Sequence, residues 1–371
     1  MDIGIPKEKG AHEHRVALTP SGVKALIQAG ARVWVETGAG VDAGYADADF
    51  QGAGATIVYS RAEVFGRGEL VVSIQAPGER ARELLRAGQV IIANWALPAA
   101  RPEEFHDLIG RRITAVGLEI LENEEGLATV RTSMAEIAGK LALTIGTGLL
   151  LNEFGGKGIL FAGVPGVPAA SFVIVGAGVL GRAAAQVALG MGAHVVLLDR
   201  DVGRLRYALG HLGQEIPSML ATRPNLEKVL SFADLLLLAA ASGAERAPLL
   251  ITRDMLKFMR PRSVLMDLSI DMGGCAETSR PTYFPQPTYE VDGIIHFCVP
   301  NLPSVAARSS TVALTNALLP SLLDIVEKGL DRAFAENCGL CRGTYLYNGA
   351  CWQESLARLF GVPLAAPPCA G

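Results

Sequence analysis

Residues 172–181 read FVIVGAGVLG, an apolar run that passes straight into Gly176, Gly178 and Gly181, spaced G-x-G-x-x-G. The run has the length and β-branched content of a buried strand, and the RAAAQVALGMG behind it reads as a helix. HVVLLD then supplies a second strand ending in Asp199, 23 residues beyond Gly176. A glycine triplet alone is weak evidence, and a turn that serves only packing is its bland alternative. With a strand before it, a helix after it and an acid closing the next strand, it is the fingerprint of a dinucleotide-binding βαβ unit. Gly176 permits the tight turn, Gly178 lets the backbone approach a pyrophosphate, Gly181 lets helix and strand pack closely, and the helix N-terminus offers partial positive charge. A carboxylate at 199 accepts hydrogen bonds from a ribose diol and repels a 2′-phosphate, which selects NAD; the adjacent Arg200 is the feature that would suit NADP.

Outward from this unit the chain alternates strands and helices in both directions. ADLLLLAA, SVLMDL and IIHFCV continue the set begun by SFVIVG and HVVLLD. Upstream, DIGIP, RVWVE, ELVVSI, QVIIANW and ITAVG form a separate set. Between DIGIP and RVWVE lies TPSGVKALIQAG, with Thr19 as N-cap, Pro20 at the first helical position and Gly30 to end the helix. The pattern predicts an α/β protein of two Rossmann-like, doubly wound parallel-sheet domains with a cleft between them. A helix beginning near TSMAEIAGKLALTIGTGLL, with Ser133 and Glu136 as a capping box, is expected to carry the chain across. TVALTNALLPSLLDIVEKGL, kinked at Pro320, is expected to bring it back. The expected division is 1–129 plus 309–371 for one domain and 130–308 for the other.

At 371 residues and 50% apolar content, the chain can bury two cores. A net charge of -4 without charge runs or aromatic-basic interleaving excludes a nucleic-acid groove and points to a small-molecule partner. Residues 158–181 carry no charge, but glycines together with Pro165 and Pro168 would break a lipid-facing helix, so no membrane span is expected. MDIGIPKEKG has no secretory n- and h-regions, so a cytosolic protein is expected. Cys338, Cys341 and Cys351 could hold zinc or close a disulfide. No second CxxC accompanies them, and free thiols packed as small apolar groups are expected here, as at Cys275, Cys298 and Cys369.

IGIPKEKGAHEHRVALTP, GVPGVPAASFVIVGAGVLG, MDLSIDMGGCAETSRPTYFPQPTY and CVPNLPSVAARSST together resemble alanine dehydrogenase, in the family that includes the nicotinamide-binding subunit of proton-translocating transhydrogenase. The likeness runs over essentially the whole chain. It implies that the first domain with the C-terminal segment binds an amino or keto acid, that the middle domain binds NAD, and that the protein is a homo-oligomer, hexamer or dimer. It implies that Arg15 grips the substrate carboxylate, as a guanidinium fork suits, and that Asp271, at the end of a Rossmann strand, stands beside the nicotinamide as the catalytic aspartate. Gln75 and Asn301 fall at substrate-site positions. Besides the three glycines and Asp199, the cofactor contacts implied are Val179, Leu180, Arg204, Ile270, Asp271, Arg280, Val299 and Asn301. Surface ion pairing is the alternative for Arg15 and Arg280, and a turn cap for Asp271.

Three positions depart from that pattern. Where alanine dehydrogenases carry a catalytic histidine, IIANWALPAA has Ala96; where they carry a substrate-binding lysine, this chain has Gln75; a serine near the nicotinamide is Ala135. Loss of a positioned acid or base commonly costs about 10²- to 10⁴-fold in rate. His14 is a candidate replacement base, although strand neighbours point to opposite faces. Trp95 reads as core, or with Asn94 as the lining of a reshaped pocket. NWALPA also resembles the transhydrogenase subunit, whose transfer between two nicotinamides needs no protein acid. The sequence therefore predicts an NAD-dependent oxidoreductase with altered substrate specificity. The alternatives are a catalytically silent NAD(H)-binding paralogue and an imine-reducing, opine-type dehydrogenase.

Overall fold

A computed structural model describes residues 1–240 and 246–368. It divides into two compact units, Met1–Met134 with Ser304–Gly371, and Ala135–Pro303. In chain order the strands are β1 (Asp2–Ile5), β2 (Arg32–Glu36), β3 (Thr56–Val58), β4 (Leu70–Gln75), β5 (Val90–Asn94), β6 (Thr114–Gly117), β7 (Ser171–Val175), β8 (His194–Asp199), β9 (Ser218–Leu220), β10 (Leu235–Leu238), β11 (Val264–Asp267), β12 (Thr288–Val291), β13 (Ile294–Phe297), β14 (Thr344–Tyr347) and β15 (Ala350–Cys351).

Among the described residues the first unit orders its sheet β15-β14-β6-β5-β4-β1-β2-β3 and the second β12-β13-β11-β10-β7-β8-β9. Without β14, β15 and β12, which pair antiparallel, each sheet is parallel with the 3-2-1-4-5-6 order of a dinucleotide-binding fold. In such sheets ligands sit outside the strand C-termini where the order reverses. The reversal points are β1/β4 in the first unit and β7/β10 in the second.

Consecutive strand residues feed opposite faces, because side chains alternate along a strand. Phe172, Ile174, Leu235, Leu237 and Met266 enter one core of the second unit, and Val173, Val175, Leu236, Leu238 and Leu265 the other. In the first unit Leu70, Val72, Val90 and Ile92 face one core, and Val71, Ile91 and Ala93 its counterpart. Both faces are covered, which is why these strands read as unbroken apolar runs.

Helix Pro20–Gln28 is capped as expected: Thr19 accepts the Gly22 N–H, Pro20 opens the helix, and Gly30 takes φ 100° beyond it. The helix expected from Ser133 instead runs Thr129–Leu149. Ser133 is therefore interior and makes no capping box; Val130, buried in the core, draws the preceding turn into the helix. Ala307–Lys328 is one helix with Pro320 inside it. The continuous helical stretch Leu302–Lys328 is long and apolar enough to cross a membrane, yet Leu314, Leu318, Leu322 and Ile325 lie in the core of the first unit.

Cys275, Cys298, Cys338 and Cys351 are free thiols. Cys341 is disulfide-bonded, which corrects the expectation of a free thiol there. Cys369 lies outside the described residues.

Candidate active site

The glycine turn fits a dinucleotide. Gly176 holds φ 118°, and a Cβ there would lie 2.2 Å from the Ala239 carbonyl oxygen. A Cβ on Gly181 would lie 1.9 Å from the Gly176 oxygen. At Gly178 a Cβ would meet nothing within 4 Å, so the backbone there is open to an approaching phosphate. Gly178 is also the N-cap of helix Val179–Gly190 and gives it no side-chain acceptor, so its first-turn donors suit an anion. Val179 and Leu180, half-buried, begin that helix.

Asp199 ends β8, buried. Its Oδ2 accepts from the Ala177 N–H at 2.8 Å and its Oδ1 from the Asp201 N–H at 3.0 Å. The acid thus clamps the glycine turn; each carboxylate oxygen has a second lone pair with which to accept from a ribose. Arg204 is exposed in the first turn of helix Val202–Leu212, which Asp201 caps. Sequence reasoning missed Arg182, whose Nη1 donates to the Ala177 oxygen at 3.1 Å and whose guanidinium lies 4.8 Å from the Tyr207 ring. Its position directly after the third glycine was the available signal.

Asp271 is not at the end of a strand, as the sequence suggested. β11 stops at Asp267, and Asp271 lies in the 3-10 turn Ile270–Met272. The buried Asp267 explains the turn. It accepts from the N–H groups of Ser269, Cys275 and Ala276 at 3.1, 2.6 and 3.1 Å and from Ser279 Oγ at 2.6 Å, folding the loop back on the strand end. Burial pushes the Asp267 carboxyl above its usual pKa, against those bonds.

Asp271 is exposed and accepts the Asn301 N–H at 3.0 and 3.3 Å, with Asn301 at φ 50°. The structure therefore brings these two residues together. Ile270 and Val299 are buried beside them in sequence. The exposed Arg280 guanidinium lies 4.0 Å from the Tyr289 ring, and the Arg280 backbone N–H donates to the Tyr289 hydroxyl at 2.9 Å. Behind Tyr289, His296 bonds Thr278 Oγ1 through Nε2 and the Ile294 oxygen through Nδ1, and burial lowers its pKa.

In the first unit Arg15 is buried and forks onto Glu13, Nε to Oε1 at 2.7 Å and Nη2 to Oε2 at 2.6 Å, with Nη1 3.2 Å from Met134 Sδ. Glu13 was not singled out from sequence. Its signal was an acid two places before the arginine. His14 turns the other way: Nδ1 lies 3.2 Å from Asp42 Oδ2, and the ring is half-exposed. This is the solvent-facing alternative, away from Arg15.

Gln75 ends β4 beside Asn94 of β5, at a register slip that follows Val72. Its amide lies against Gly10, where a Cβ would be 3.0 Å from Nε2 and 3.3 Å from Glu13 Cβ. Glu8 completes the group, with Oε1 accepting the Ile74 N–H at 2.7 Å. Burial, and secondarily the Glu13 carboxylate, push its pKa up to about 7. Gln75, Glu8 and Glu13 thus meet at the β1/β4 reversal.

Ala96 adopts φ 46°, an uncommon value for a non-glycine residue, at the head of a short 3-10 turn. Glu119 holds it there, accepting the Trp95 N–H at 3.1 Å, the Ala96 N–H at 2.7 Å and the Tyr345 hydroxyl at 3.0 Å. Trp95 is core, its indole bonded to the Ile91 oxygen at 3.3 Å, while Asn94 is exposed. Among the described residues no group of three or more His, Cys, Asp or Glu side chains is placed to hold a metal ion.

Two doubly wound sheets, one with a complete glycine turn and a carboxylate closing its second strand, have the build of a dinucleotide-binding protein. The models of the Alanine dehydrogenase/PNT N-terminal and C-terminal domains match residues 4–138 and 142–354. The chain belongs to this family and is an NAD-dependent oxidoreductase. It is 38% identical over 364 residues to an alanine dehydrogenase of Methanococcus maripaludis, covering 98% of this chain and 97% of that one. To the Bacillus subtilis alanine dehydrogenase it is 40% identical over 362 residues, covering 97% of this chain and 95% of that one. A solved L-alanine dehydrogenase superposes with a TM-score of 0.89 at 36% identity, covering 97% of this chain and 99% of that one.

Proposed function

We propose that the chain transfers hydride between NAD(H) and an amino or imino acid other than alanine, as a cytosolic homo-oligomer. The observation that carries this reading is the neutral pair at 75 and 96. Gln75 lies at the strand reversal, and Ala96 is fixed by Glu119 in a turn whose side chain is a single methyl group. At these positions the family resemblance implies an ammonium and an imidazole.

The glycine turn, Asp199, Arg204, Arg280 and the Ile270, Val299 and Asn301 backbone segments would hold NAD, which would supply nicotinamide C4 as the hydride acceptor. Arg15 binds the substrate carboxylate, and Glu13 orients its guanidinium through the two-point bond. A guanidinium has five N–H donors in a planar fork that matches a carboxylate, which is the chemistry this role asks of Arg15. Gln75 adds an amide N–H without charge. Asp271, exposed and fixed by the 301 backbone, holds the proton or the attacking water. With no imidazole at 96, small substrates that need proton removal at that point turn over poorly, and a larger side chain has room there.

The test is NADH fluorescence titration followed by assay of alanine, of pyruvate with ammonia, and of bulkier amino and keto acids. NADH binding with turnover of a bulkier acid supports the reading. Alanine turnover at a rate normal for the family contradicts it. NADH binding with no turnover of any acid establishes the second reading, a silent NAD(H)-binding paralogue, which the neutral residues 75, 96 and 135 favour.

A further inference from the structure

The β1/β4 reversal of the first unit holds three carboxylates and two guanidinium groups, and the pairing is uneven. Arg15 forks onto Glu13 at 2.6 and 2.7 Å. Arg61, at the start of helix Arg61–Arg67, lies with its Nε 3.7 Å from Glu36 at the end of β2 and bonds the Lys7 carbonyl through Nη2. Glu8 receives the Ile74 N–H at 2.7 Å and, more weakly, the Gln75 N–H at 3.4 Å; among the described residues no cation lies within 4.0 Å of it. Lys7 and Lys9 on its own segment are exposed. Its charged neighbours are therefore Glu13, which repels it, and Arg61, which attracts it.

Gln75 presses on Gly10, in the turn closed by the Glu13 N–H on the Gly10 oxygen at 3.0 Å. A lysine in that place would bring a positive charge to the cluster, and glutamine brings none. A substrate carboxylate received by Arg15 would then be a further anion beside Glu8 and Glu13 in a partly dry site, where like charges are costly.

We infer that Glu8 takes up a proton from solvent when a carboxylate substrate binds, so that the cluster gains an anion and loses one. This rests on the reading that Arg15 receives a carboxylate. Glu8 forms no covalent bond to substrate; it is a positioning and charge-compensating residue that holds the end of β4, and therefore Gln75, through the Ile74 and Gln75 N–H groups. The cost of the proton is small near neutrality, because burial already holds this carboxyl at about 7.

The test is calorimetric titration of pyruvate into the NADH-saturated protein without ammonia, at pH about 8, in two buffers of different ionisation enthalpy. The expected result is uptake of roughly 0.5–1 proton per pyruvate, with Kd rising up to about tenfold per pH unit above neutrality. In Glu8→Gln, whose amide oxygen can still accept the Ile74 N–H, uptake should vanish and the pH profile flatten. Uptake that survives Glu8→Gln overturns the inference. If that variant fails to fold, Gln75→Lys decides: an ammonium beside Glu8 should tighten pyruvate and abolish most of the uptake, and unchanged uptake refutes the idea. Pyruvate binding without proton uptake in the wild-type protein sinks this inference alone, whereas failure of pyruvate to bind sinks the carboxylate role of Arg15 with it.

Discussion

At position 96 a methyl group occupies a left-handed turn that Glu119 fixes through two backbone N–H groups. Because the backbone bonds do not depend on the side chain, Ala96→His should be accommodated without loss of the turn. Combined with Gln75→Lys it should raise alanine turnover by about 10²-fold or more if proton handling is what the site lacks; steady-state kinetics on alanine decide, and no gain would mean that the site differs beyond these positions. Glu8 gives a separate prediction for stability. Its folded pKa of about 7 lies above the ordinary carboxylate value of 4.5, so the native state binds the proton more tightly than the unfolded chain. The stabilisation from protonation is fully present below pH 4.5 and is lost as pH rises through 7. Glu8→Gln should therefore raise the melting temperature at pH about 8 and have a smaller effect near pH 4; a larger gain in acid would reverse the sign and count against the assignment.

The element that carries Asp271 is made by a residue four positions earlier. Asp267, wholly buried, ties three backbone N–H groups and the Ser279 hydroxyl to the end of β11. Asp267→Ala leaves buried donors unmade at roughly 1–3 kcal/mol each, so a loss of at least about 3 kcal/mol is expected in urea unfolding. Asp271→Asn, exposed in the turn this network builds, should leave stability within about 0.5 kcal/mol and affect turnover instead. Gly181→Ala belongs to the same scale: its Cβ would stand 1.9 Å from the Gly176 oxygen, so helix and strand must separate and NADH affinity should fall. Elements at the sheet margins were the ones the pattern did not reveal. β3 and β9 are three residues each, and β12 and β15 are partly buried edges. Three-residue strands carry too few alternations to register as a period, and a half-exposed edge such as β12 lacks the apolar run that marks a buried strand.

For the molecule as a whole, the proposed function places nucleotide binding in the unit Ala135–Pro303 and carboxylate binding in the unit that holds Arg15. NADH at about 100 times its Kd should stabilise the protein by about 2.7 kcal/mol by mass action, seen as a raised transition in calorimetry. NADPH should give much less. Asp199→Ala should reduce the NADH shift and narrow the difference between the two cofactors, while also loosening the glycine turn that Asp199 clamps through the Ala177 N–H. Equal shifts with NADH and NADPH in the wild-type protein would refute the role given to Asp199.

Local order along the chain determined much of this protein. The glycine spacing, the acid at 199 and the paired sets of apolar strands define two doubly wound sheets and a candidate NAD site, because each is read from residues close in sequence. Tertiary structure decided the rest. That Glu13 is the fork partner of Arg15, that Glu8 lies under a strand end 66 residues away, and that Glu119 and Tyr345 close around Ala96 follow from strand order and register. Contacts between distant strand ends leave no period in the sequence, and the pKa of a carboxyl depends on the water and charges those contacts remove or supply.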